Sequence, residues 1–236
     1  MEENKDLLDF TIPQLLRWRV QHSGDKVALR EKDFGRWISY TWKEYYEYVR
    51  KTAVGLEKIG LKKDDKLAII ADNIPEVLVV AIAAQAAGGI SAGIYQSSLP
   101  DEIADILNYM DVGMVFCGDQ EQVDKLVEVR DRIPKVKKVI YEDPRGMRGY
   151  RADDWFIQID DLYVLGEEVL KENPGRLEEM IERGRPDDVC HLCQTSGTTG
   201  LPKGAMMTHR NYINMGVQIT KVDKLDEGEE YVSFLP

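Results

Sequence analysis

A chain of 236 residues with 43% hydrophobic content can form one large domain or two smaller ones with a buried core. Its 42 acidic against 31 basic residues give a net charge of −11, which argues against nucleic acid or anionic lipid as the main partner. Three cysteines (Cys117, Cys190, Cys193), and a charged opening from Glu2 to Asp6 with no apolar targeting segment behind it, predict a reducing, cytoplasmic setting.

In chain order, Val27–Arg30 and Trp37–Tyr40 are predicted short strands. Thr41-Trp42-Lys43-Glu44 is a capping box, in which hydroxyl and carboxylate each reach the other's free backbone N–H. The helix it opens runs to about Ile59 and is stopped by Gly60. Leu67–Ala71 is a buried strand, Pro75–Ala87 a buried helix and Ile90–Ile94 another strand. That stretch is mostly apolar, but Asp72, Asn73, Pro75, Glu76, Gln85 and Gly88-Gly89 interrupt it. No run reaches the roughly 18 uncharged residues of a spanning helix.

Ser98-Leu99-Pro100-Asp101 opens a further helix with proline near its first turn. Met114–Cys117 is a strand, Gln120–Arg132 a helix and Val136–Ile140 a strand. Glu142 to Gly149 is a polar, turn-rich segment. Its Arg145 and Arg148, with Arg151, are expected to pair with Asp143, Asp153 and Asp154 in solvent rather than clamp an anion. Asp160–Lys171 and Arg176–Arg183 are amphipathic helices, and Pro186-Asp187-Asp188 leads into strand Val189–Gln194. Short strands alternating with helices predict an α/β fold with a largely parallel, helix-covered sheet.

The densest chemistry follows in Thr195-Ser196-Gly197-Thr198-Thr199-Gly200-Leu201-Pro202-Lys203-Gly204. Glycines let the backbone turn tightly and present N–H groups, hydroxyls add donors, and the lysine adds a point charge, so the segment is a phosphate-holding loop. It is expected to sit between a strand and a helix at Thr208–Ile219. It is not a Walker loop, because Pro202 stands where that pattern needs glycine, and it lacks the dinucleotide glycine spacing.

The segment closely resembles the phosphate loop of the adenylate-forming superfamily, which includes acyl-CoA ligases, beetle luciferases and peptide-synthetase adenylation domains. Every fixed position matches from Thr195 to Gly204 and again at Thr208-His209-Arg210-Asn211. Gly24-Asp25-Lys26-Val27-Ala28-Leu29, Tyr40 to Tyr45 and Asp72-Asn73-Ile74-Pro75-Glu76 resemble the family's opening. Ser233-Phe234-Leu235-Pro236, and more weakly Asp160-Asp161-Leu162, resemble the long-chain fatty-acyl-CoA ligases.

The resemblance implies ATP, Mg²⁺ and coenzyme A as ligands and a fatty or other carboxylic acid as substrate. Thr195, Ser196, Thr198 and Thr199 would bind phosphate oxygens, with Thr199 sharing the metal. Lys203 would stabilise the departing pyrophosphate, and Gly197, Gly200 and Gly204 would shape the loop. His209 has two places open to it, a phosphate or the substrate channel on one side and packing behind Thr208 on the other.

The family's Tyr-Gly-x-Thr-Glu motif, ribose aspartate, hinge and C-terminal lysine do not occur in this sequence. The expectation is therefore an N-terminal part of a longer enzyme. Residues 1–185 would be an α/β subdomain and 186–236 the start of the nucleotide-binding region, with the remainder and a small lid domain absent. The chain alone would be inactive, with an exposed apolar face and a tendency to self-associate. The surface is expected to contact membranes only peripherally and without stable insertion.

Two other classes stay open: an aryl-acid ligase or peptide-synthetase adenylation domain, and a non-catalytic nucleotide-binding module. Cys190-His191-Leu192-Cys193 has a metal-like spacing, but it has no second pair and strand alternation separates its cysteines, so inert cysteines are expected. Trp18, Trp37, Trp42 and Trp155 are expected to pack.

Overall fold

The computed structural model describes residues 6–195, 203–223 and 228–233. Helix α1 (Ile12–Ser23) is followed by β1 (Val27–Asp33) and β2 (Arg36–Thr41), which among the described residues pair only with each other as an antiparallel ribbon. They are therefore not part of the parallel sheet. The ribbon leads into α2 (Trp42–Lys58), whose capping box is present as the sequence predicts: Glu44 N donates to Thr41 Oγ1 at 3.2 Å, and Thr41 N donates to Glu44 Oε2 at 2.8 Å. Gly60 has φ +106°, a conformation glycine adopts without strain, and it ends the helix as expected.

The sheet proper begins at β3 (Lys66–Ile70), and α3 (Pro75–Ala86) carries the chain to β4 (Ile90–Gly93). Helix α4 (Pro100–Tyr109) then returns it across β3 to β5 (Val112–Cys117). Helix α5 stops at Glu128 (Gln120–Glu128), and a 3-10 turn at Arg130–Arg132 replaces the last turn that the sequence predicts. Strand β6 (Lys138–Tyr141) and the unanticipated β7 (Phe156–Gln158) extend the sheet on that side. Helices α6 (Ile159–Glu172) and α7 (Arg176–Ile181) bring the chain back beside β4 as β8 (Val189–Thr195).

The strand order is β7-β6-β5-β3-β4-β8 and then β9 (Lys203–Thr208), with every neighbouring pair parallel except β8–β9. Leu67, Ile69 and Phe116 face α2, α3, α6 and α7, where Val49, Leu56, Val80, Leu162 and Leu177 complete one core. Ile70, Val115 and Val139 face α4 and α5 through Ile103, Leu107 and Leu126. Burial on both faces explains why these strands are continuous apolar runs rather than alternating ones.

A boundary at residue 185 falls inside this layered sheet, since β8 pairs with β4 through Ser91↔His191 and Ala92↔Leu192. In the polar segment, Arg145 pairs with Asp143 at 2.5 Å, as expected. Asp153 instead takes Arg130, whose guanidinium also lies 4.4 Å from the Trp155 ring centroid.

Candidate functional site

Strand β8 is fixed from two sides. Ser91 Oγ lies 3.1 Å from Cys190 O and 2.8 Å from His191 Nδ1, and Gln85 Nε2 of α3 donates to Ser91 Oγ at 3.3 Å. Cys190 is fully buried while Cys193 is exposed, so the two thiols lie on opposite faces as alternation requires. Burial holds the Cys190 thiol up at about 12, which keeps it protonated and inert at neutral pH. Among the described residues no group of three His, Cys, Asp or Glu is arranged to hold a metal.

Parallel order puts the end of β8 at the carboxyl edge of the sheet, where open α/β sheets bind ligands. The chain reaches Thr195 there and returns as β9, with Thr195↔Lys203 the last pair of the hairpin. The loop therefore joins two antiparallel strands, and a helix follows only after β9, contrary to the strand–loop–helix expectation. Ala205-Met206-Met207 pairs with Cys193, Leu192 and His191, so this segment is consumed by the ladder before a helix can start.

Gly204 pairs with Gln194, and a Cβ on it would lie 3.4 Å from Met110 Cε, so a small residue suits the approach of β9 to the end of α4. Ser196, Gly197, Thr198, Thr199 and Gly200 lie outside the described residues. So do the Thr199 metal contact and the side chain of Lys203.

The second half of the motif is the foot of the hairpin. Thr208 N donates to Asn211 Oδ1 at 3.0 Å and Asn211 N to Thr208 Oγ1 at 3.2 Å, a capping box that opens α8 (His209–Val222). His209 is 3% exposed, and its Nδ1 accepts the Ile12 N–H at 3.2 Å. Arg210 pairs with Asp187 at 2.7 Å and donates to Leu8 O at 2.9 Å.

Since β9 runs away from the loop for its whole length, Thr208, just before His209, stands roughly 17 Å from Lys203 at ~3.4 Å per residue. The His209 ring thus meets the start of α1, at the end of β9 remote from Lys203.

Sequence reasoning missed three groups near the carboxyl edge. Gln194, one residue before the loop, has a buried Nε2 with no partner among the described residues. Gln96, just past β4, donates to Asp72 at 2.5 Å, and its carbonyl accepts from Lys125 Nζ at 2.6 Å, which pins the turn beside β8. Glu142, just past β6, is pushed up to about 7 by burial first and then by the charges of Glu76, Asp143, Asp160 and Glu31. No spacing in the sequence marks these groups, because tertiary neighbours create each environment.

A family model described as AMP-binding enzyme matches residues 16–236. The chain is 30% identical over 231 residues to the long-chain-fatty-acid–CoA ligase ACSBG2 of Xenopus laevis, covering 96% of this chain and 30% of that protein. It is 32% identical to the ligase ACSBG1 of Bos taurus, over 96% of this chain and 31% of that one. The chain thus spans about a third of the length of these curated relatives.

Among solved structures, the anthranilate CoA ligase AuaEII in complex with anthranoyl-AMP superposes with TM-score 0.75 at 18% identity, over 92% of this chain and 38% of that one. The long-chain-fatty-acid-CoA ligase FadD1 from Archaeoglobus fulgidus gives 0.74 at 16%, over 94% and 41%. At such identities these two share the fold. No helix among the described residues is long and apolar enough to cross a membrane.

Proposed function

This chain belongs to the AMP-binding enzyme family, and from that premise we propose that it supplies the phosphate-holding part of an acid–CoA ligase acting on long-chain fatty acids. In the first step a carboxylate oxygen attacks the α-phosphorus of ATP. The α–β P–O bond breaks, and acyl-adenylate and pyrophosphate form. In the second, the coenzyme A sulfur attacks the acyl carbon and AMP leaves with the bonding pair. Neither step needs covalent help from the protein, so positioning and electrostatic stabilisation carry the rate.

The hydroxyls of Thr195, Ser196, Thr198 and Thr199 and the backbone N–H groups of the glycines would hold phosphate oxygens. The Lys203 ammonium would oppose the charge that gathers on pyrophosphate. Mg²⁺ commonly uses few protein ligands together with nucleotide phosphates, so a single threonine hydroxyl at Thr199 is chemically adequate for it. Bound there, the ion would neutralise phosphate charge. The enzyme would work in the cytoplasm with peripheral membrane contact.

The observation that supports this function most is the hairpin closed by Thr195↔Lys203 at the carboxyl edge of the sheet, carrying the whole ten-residue motif. Long-chain specificity draws on the sequence relatives, which are long-chain-fatty-acid–CoA ligases. The test is ATP-dependent thioester formation by the full gene product with acetate, benzoate, octanoate and palmitate. Palmitate is expected to be preferred. Preference for benzoate or an amino acid would overturn the acid assignment, and no adenylation of any acid would overturn the ligase.

A further inference from the structure

At the amino edge of the sheet, opposite the loop, a cleft of about 490 Å³ opens between the ends of α2, α3 and α7, the start of α1 and the foot of the hairpin. Lys62, Lys63 and Arg183 line it, and none of them has a carboxylate partner among the described residues. Its two acids are already engaged. Glu57 is held by Arg176 at 2.5 Å, and Asp188 accepts the Arg185 N–H at 2.9 Å.

Three helices end here, which by itself would favour cations. However, their last carbonyls are largely occupied. Leu56 O accepts from Leu61 N, Ala84 O from Gly89 N, and Ile181 O from both Gly184 N and Gln14 Nε2.

The wall of the cleft also carries a donor. Because the His209 Nδ1 accepts from Ile12, the neutral ring bears its proton on Nε2, and that N–H, on a residue lining the cleft, is left without a partner among the described residues. A chain of net charge −11 thus gathers three cations without a close ion pair among the described residues, and one free N–H donor, around a single cavity.

We propose that this cleft binds a small phosphate-bearing anion, at a site separate from the nucleotide loop. Its phosphate oxygens would accept from His209 Nε2 and face Lys62, Lys63 and Arg183. A dianion or higher suits three cations better than a monocarboxylate.

The test uses the full gene product, with pyrophosphate and acetate as probes and the imidazole nitrogen resonance of His209 as readout. Pyrophosphate is expected to shift the His209 Nε2 signal saturably and acetate to leave it in place. His209→Gln assigns that signal. Lys62→Ala with Arg183→Ala, both exposed positions, should weaken the response by at least about tenfold without moving the unfolding midpoint. Lys203→Ala should leave it intact. An unmoved His209 signal would overturn the site. So would a response abolished by Lys203→Ala but kept in the double variant, because pyrophosphate would then be reporting only the nucleotide loop.

Discussion

The backbone N–H of Ile12 donates to Nδ1 of His209, 197 positions later, and joins the start of the first helix to the foot of the hairpin that carries the phosphate loop. Burial holds this imidazole down at about 4, against an ordinary value near 6.5. Between those two values the unfolded chain binds more protons than the folded one. Stability from His209 is therefore complete above about pH 6.5 and is lost as pH falls toward 4, by roughly 3 kcal/mol at most. Urea unfolding at pH 7 and pH 5 measures it. His209→Gln, which can still accept from Ile12, should lose most of that dependence, and an unchanged slope would reject the assignment.

Glu142 works in the opposite direction over an overlapping range. Its carboxyl is raised to about 7, so its contribution is present at low pH and is lost as pH rises through 7. Glu142→Gln should stabilise the protein at pH 8 by about 1 kcal/mol, discounted for partial exposure, and change little at pH 4. In the His209→Gln background the remaining slope between pH 5 and 8 should carry the sign set by Glu142 and Glu76, both raised by burial, with stability falling as pH rises. A double-variant melt series checks both signs together.

Helices α2 and α6 cross in near backbone contact. A Cβ at Gly166 would stand 2.0 Å from Lys51 O, and one at Gly55 would stand 2.6 Å from Leu162 O. Alanine gains about 1 kcal/mol of helix propensity, yet the backbone must part to admit the methyl. Gly166→Ala is expected to cost about 2 kcal/mol net, measured by urea midpoint. A neutral result would mean that the crossing relaxes freely.

The β1–β2 ribbon turns through Phe34 (φ +43°) and Gly35 (φ +81°), the two positive φ angles of a type I′ turn. Asparagine is favoured at the first of these positions, while Phe34 is 90% exposed and packs on little. Phe34→Asn should raise stability by roughly 0.5–1 kcal/mol. A lower melting temperature would show that the ring contributes to the fold.

In the full gene product, Lys203→Ala should slow acyl-adenylate formation about a hundredfold, because the charge acts more on departing pyrophosphate than on bound ATP. Thr198→Val and Thr199→Val should also slow it, and Cys193→Ser should be nearly silent. Single-turnover measurement separates these outcomes. Full speed in Lys203→Ala with loss in Cys193→Ser would move the reactive site away from the loop.

The chain by itself determined what depends on near neighbours. The Thr41–Glu44 box, the stop at Gly60 and the buried runs at Leu67 and Met114 are local or compositional. So is the concentration of hydroxyls, glycines and lysine after Thr195, and all of these were legible. Tertiary structure decided what depends on which segment lies opposite. Lys203–Thr208 became a strand because the edge of β8 offered it a ladder. His209 became an anchor because that strand carried it to Ile12. Arg130 rather than Arg148 or Arg151 took Asp153 because the turn after α5 lies beside it. Capping and burial act within a few residues, whereas strand pairing and charge pairing are chosen among all the partners that the fold brings within reach.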